Sequence, residues 1–290
     1  MILVNELYHH GILGQKWGKR NGPPYPLNAS DHSSSEKKAG WRKSLASYDD
    51  VYAVNDQSKP KINSDGSQTF PKGYKFNRVG GEELRFNKAG GLYVSCDRLS
   101  ASMYVNQLGP TPIAKLLKNA QTHVQNITAT KSIKMASEDE TVRLILEAVK
   151  EDRDYYEKIK ESFLYTYAFD SDNGITDEAF ERCITHPNSK EAKKMAYVFC
   201  STFGNTAISD SVSKVYDKFR KNGFDAMPDI YDIYTGASSS PLIILNPNSI
   251  KMTDSHFITK EIMKDGRRYI KQYMKEHPDS VTISEILNEG

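Results

Sequence analysis

The order of its periodicities constrains this chain most. Strand-like runs come first and last, and a long helical stretch lies between them. Residues 73–79 alternate, with Tyr74 and Phe76 on one side. Gly90-Gly91 is a turn before the strand-like Leu92-Tyr93-Val94-Ser95, and residues 127–135 are β-branched. Two late runs, 224–227 and 242–245, read as strands. Between these groups, Ser137 with Glu140 has capping-box spacing, and Val142, Ile145, Leu146 and Val149 fall on one helical stripe. Further helices are expected over 99–107, after Thr111-Pro112, around Tyr155 and Ile159, and over 178–184, 190–202 and 209–221. Asn222-Gly223 stops the last of these. Strands at both ends and helices between them predict an α+β fold rather than a wound parallel sheet.

The first twenty residues belong to another kind of segment. His9 through Arg20 crowds glycines, a histidine pair, Trp17, Lys16, Lys19 and Arg20 together. A tryptophan among glycines and cations suits a docking peptide better than a core helix. We therefore divide the chain into a flexible basic arm (1–20), a Pro- and Ser-rich linker (21–63), an α+β domain (64–257) with a helical middle (137–221), and a charged helical tail (258–290).

Charge and cysteines narrow the function. The chain carries 39 cations against 37 anions, so nothing marks it as a general nucleic-acid binder. Cys96, Cys183 and Cys200 form no CxxC pair, which argues against a disulfide scaffold or a zinc knuckle. His9-His10 has no third ligand at useful spacing, so no metal is expected. No apolar run is long enough to span a bilayer, and Asn5-Glu6 interrupts Met1-Ile2-Leu3-Val4 before it makes a signal peptide.

Two resemblances follow from the residues. The arm, His10-Gly11-Ile12-Leu13-Gly14-Gln15-Lys16-Trp17-Gly18, is similar to a His-x-Gly-x-x-Gly-x-Lys-Trp-Gly-x-Arg tag at the ends of tailed-phage and prophage proteins. That resemblance implies a place in a virion or a bacterial host cytoplasm. It also implies a phage head, capsid or portal partner, held through His10, Gly11, Gly14, Lys16, Trp17 and Gly18. The second spans roughly residues 65–252: Lys75-Phe76-Asn77-Arg78-Val79, then Tyr93-Val94-Ser95, then Phe224-Asp225-Ala226 with Asp229 and Asp232 before Pro241-Leu242-Ile243-Ile244. In this order the pieces resemble the ADP-ribosyltransferase-like modules of phage and prophage proteins.

That second resemblance implies a split antiparallel β-sandwich with a helical insertion, acting on NAD as substrate. It casts Arg78, Ser95 and Asp229 as catalytic, and Arg78, Tyr93, Ser95 and Tyr104 as the NAD-binding set. The residue chemistry agrees: a guanidinium suits a pyrophosphate, and a carboxylate near an anomeric carbon stabilises developing positive charge. The sequence departs from the family where it reads Ser239-Ser240-Pro241, because a Glu is expected there. Each residue also has a plainer role: Arg78 as a surface strand residue, Tyr93 as core edge, Ser95 as a turn cap, Asp229 as a loop acid. Three functions therefore stand at this point: NAD-dependent ADP-ribosyl transfer or NAD cleavage on a host target, a non-catalytic virion or head-assembly binding module, and a host-defence-directed interaction protein.

Overall fold

The computed structural model describes residues 51–52, 59–107, 123–160, 176–234 and 241–276. The arm with its six docking residues, most of the linker and the helix expected after Thr111-Pro112 lie outside the described residues.

The described chain is mixed α/β, with eight α-helices and one nine-stranded sheet. A short hairpin, β1 (Lys61–Ile62) and β2 (Gln68–Phe70), leads into β3 (Lys75–Gly80) and β4 (Leu92–Ser95). Helix α1 (Arg98–Gln107) precedes β5 (His123–Ala129) and β6 (Ile133–Met135). The helical middle comprises α2 (Glu138–Glu151), α3 (Arg153–Lys160), α4 (Asp177–Thr185), α5 (Lys190–Ser201) and α6 (Ser209–Lys221). The chain ends in β7 (Ala226–Pro228), α7 (Ile230–Tyr234), β8 (Pro241–Ile244), β9 (Ile250–Phe257) and α8 (Lys260–Glu276). Strand order is β1-β2-β6-β7-β8-β4-β3-β5-β9, and only β6 with β7 runs parallel.

Four expectations need correction. The hairpin strand β1 lies in what reads as linker, because both its residues are exposed and carry no burial pattern. The run 127–135 is two strands, β5 and β6, broken at 130–132. The acidic loop after Met227 contains the short helix α7. Finally, β9 occupies a stretch that shows no strand signal: a register shift opposite Asn126/Ile127 breaks its alternation.

Local chemistry explains the helices. Ser137 caps α2, its hydroxyl accepting from the Glu140 N–H at 3.2 Å. Glu140 turns outward to Arg143 instead of closing the capping box. The stripe Val142, Ile145, Leu146 and Val149 is fully buried. Helix α6 ends at Gly223, whose φ of +81° suits the left-handed region that glycine tolerates.

Two cores use the two faces of the sheet. Helices α2 to α6 pack over Met227, Ile243 and Leu245, with Tyr93 against them. The opposite face is lined mainly by strand residues, Phe70, Phe76, Leu92, Val94, Ile127, Leu242 and Ile244 among them, with Tyr74, Leu84 and Phe86 from the loops. Phe70 on β2 and Phe76 on β3 have ring centroids 5.4 Å apart, although four strands separate β2 from β3 in the sheet. The sheet therefore curls until its inner face closes on itself. Among the described residues no helix is long and apolar enough to cross a membrane.

Candidate functional site

Strand alternation decides which predicted residues can meet. On β4, Leu92 and Val94 face the inner core, so Tyr93 and Ser95 face the helices. On β8, Ile243 faces the helices and Pro241 shares its side. Ser95 pairs with Pro241 on one side and Asn77 on the other. Just beyond β7, the Asp229 N–H donates to the Pro241 carbonyl at 3.1 Å and extends the ladder. Asp229, Pro241, Ser95 and Asn77 thus form one row across the strand ends, from segments more than a hundred residues apart in sequence.

A buried polar cluster surrounds this row. Asp229 is 2% exposed and caps α7, accepting from the backbone N–H groups of Asp232, at 3.3 Å, and Tyr231. Burial, reinforced by the neighbouring Asp232 charge, pushes its carboxyl up to about 7. No cation among the described residues pairs with it. Asp232 accepts from the Tyr104 hydroxyl, which ties α1 to α7. Burial raises its carboxyl as well.

Tyr93 and Tyr216 share a hydrogen bond, and burial raises both phenols out of reach of ionisation. The Cys200 sulfur accepts from the Ile230 and Tyr231 backbone N–H groups at the start of α7, and burial pushes its thiol well up. It is therefore a structural thiol and no nucleophile. The Ser95 hydroxyl is 1% exposed and has no hydrogen-bond partner among the described residues.

The turn before β4 explains how Tyr216 comes so close. Asn87 closes it by accepting from the Gly91 N–H at 2.8 Å. A Cβ on Gly91 would lie 2.7 Å from the Tyr216 ring and 2.9 Å from Ile243, so only glycine fits.

Arg78 does not join this group. It alternates with Asn77 and lies on the inner face, on the side of Phe76. Its Nη1 donates to Gln125 Oε1 at 3.0 Å across the β3–β5 pair. Gln125 in turn donates to the carbonyls of Gly81 and Glu83, at 2.6 and 2.8 Å. Burial lowers the Arg78 pKa, and no carboxylate among the described residues pairs with it. Tyr93, Ser95, Tyr104 and Asp229 are thus brought together, and the guanidinium is on the other side of the sheet.

Two cavities open elsewhere. One of about 340 Å³ lies between the β1–β2 turn and the start of α2, lined by Asp65, Ser67, Asp139, Glu140, Arg143 and Asn188 among others. The second, about 380 Å³, backs onto the same strand ends from the inner side: Cys96, Pro228 and Ile233, the neighbours of Ser95, Asp229 and Asp232, line it. Of the row only Pro241 lines the second cavity, and Ser95, Asp229, Asp232, Tyr93 and Tyr216 are not among the lining residues of either. The row residues Asp229, Pro241, Ser95 and Asn77 carry no cation of the kind that would meet a pyrophosphate. Among the described residues, no three His, Cys, Asp or Glu side chains are grouped to hold a metal ion.

No family model, curated protein or solved structure matches this chain.

Tyr216, Cys200 and Asn87 complete the cluster, and the motif reading does not name them as site residues. Tyr216 sits on the apolar stripe of α6 with Val212, Val215 and Phe219, where it reads as core. The only sequence signal for this contact is Gly91, a glycine directly ahead of a strand.

Proposed function

We propose that this chain is a phage-type protein whose curled-sheet domain, ADP-ribosyltransferase-like in its motifs, serves as a binding module and not as an NAD-cleaving enzyme. One observation carries this reading. The guanidinium that would hold a pyrophosphate is bonded to Gln125 on the inner face, while Ser95 and Asp229 are buried beneath helices on the other face. The missing Glu before Pro241 points the same way. The arm, with His10, Gly11, Gly14, Lys16, Trp17 and Gly18, supplies the address: a phage head, capsid or portal protein.

The test is incorporation. Full-length protein is expected to co-purify with phage heads, and Trp17→Ala or deletion of residues 1–20 is expected to abolish this. Unchanged incorporation of both variants removes the docking role, and a host protein captured in place of heads favours the host-directed reading.

A second reading, NAD-dependent transfer onto a host target, is favoured by one feature. The unpartnered Ser95 hydroxyl stands in one row with a carboxyl raised to about 7. Nicotinamide release from NAD, lost in Asp229→Asn, would establish it.

A further inference from the structure

We infer that the 380 Å³ cavity on the inner face is a binding site for an uncharged aromatic small molecule of one or two rings. The cavity is lined by neither Ser95 nor Asp229. The volume falls within the range of ligand pockets, at their small end. The walls are Phe70, Tyr74, Met135 and Leu242, with Gln68 and Ser137 among the few polar groups.

The rings are already arranged to receive another. Phe70 and Tyr74 meet edge to face at 4.9 Å, and Phe76 joins them at 5.4 Å from Phe70, so a further ring can complete the same packing. The frame is preformed, since β2, β6, β7, β8 and the β1–β2 turn all contribute to it.

Charge selects among aromatic ligands. Among the described residues no Lys, Arg or His lines the cavity, so a buried anion would find no counter-charge from them. Among the described residues the lining carboxylate is Glu138, which is engaged by Lys193 at 3.2 Å and offers little to a cation. Polar anchoring falls to the Tyr74 hydroxyl, which makes no hydrogen bond among the described residues, and to the Gln68 amide.

Cys96 reports occupancy, because it is half-exposed and lines the cavity. Cys183 and Cys200 are buried, and burial raises both thiols, that of Cys183 to about 11. Alkylation of the full chain by iodoacetamide, followed at the Cys96 peptide by mass spectrometry, is the experiment. Saturating indole is expected to slow Cys96 alkylation about fivefold or more, and indole-3-acetate, the same ring with an anion, less than about twofold.

Gln68→Trp, filling the cavity from β2, is expected to slow Cys96 without ligand and to abolish the indole effect. Pro60→Trp, at the rim and outside the ladders, is the second variant should the first fail to fold. An unchanged Cys96 rate in indole, or equal protection by indole-3-acetate, overturns the proposal. So does full protection by indole in a folded filling variant.

Discussion

On its helix-covered face the sheet buries Ser95 and Asp229, with Tyr93 partly buried and Tyr104 and Tyr216 close by. On its inner face it buries Phe70, Phe76, Leu92 and Leu242 and leaves a cavity among them. The helices make the difference. They bring backbone N–H groups, hydroxyls and a thiol to the first face, and each can meet a buried polar strand residue. The inner face meets mostly more strand and loop, so apolar and aromatic side chains fill it, and Arg78 on that face is tied down by a cross-strand Gln. A polar group is tolerated where a second element can answer it, and the two faces differ in that supply.

Removing an inner-face ring tests how far that face depends on apolar packing alone. Phe76→Ala is expected to cost about 3–5 kcal/mol by urea unfolding, because the ring is fully buried among the aromatic and aliphatic side chains of the inner face. A loss under about 1 kcal/mol would mean that the curled sheet is not closed there.

Asp229 tests the opposite face. Its carboxyl holds the proton more tightly folded than unfolded, so its contribution is fully present below about pH 4 and is lost as pH rises through about 7. Asp229→Asn is expected to flatten that loss. At pH 8 the variant gains on the order of 4 kcal/mol over the wild type, and at pH 4 it gains little. Thermal melts across this range read the difference, and parallel curves would show that the carboxyl is ionised in the fold.

Asp152 shows what a cation changes. Burial opposes its charge, yet Lys214 at 2.9 Å holds its carboxyl below the usual range. Its contribution is therefore present above about pH 4 and lost as pH falls.

Gly91 tests the contact that sets Tyr216 against β4. Gly91→Ala is expected to cost about 1–2 kcal/mol, because the new methyl meets the Tyr216 ring and Ile243 below contact distance. The smallest effect belongs to Arg78. A half-buried guanidinium bonded only to an amide contributes little net stability, so Arg78→Met should stay within about 1 kcal/mol of the wild type.

The sequence was readable where one face of an element is buried. The stripe of α2, the Ser137 cap and the Gly223 stop follow from local chemistry, and all three hold. It was unreadable in β1, whose residues are both exposed, and in β9, an edge strand whose register shift interrupts alternation. The site divided in the same way. Tyr93, Ser95 and Asp229 lie toward the helix-covered face, and Tyr104 reaches Asp232 on α7. The position of Arg78 depended on register: Ser95 pairs with Asn77, one residue short of Arg78, and a single step along a strand moves a side chain to the other face. No spacing within one sequence reports that step.

Nicotinamide release from NAD by the purified full chain, compared among wild type, Arg78→Ala and Asp229→Asn, tests the placement of these groups most directly. The account predicts no release above the spontaneous rate for any of the three. Release by the wild type that both substitutions abolish would mean that guanidinium and carboxylate act on one substrate, and would contradict it.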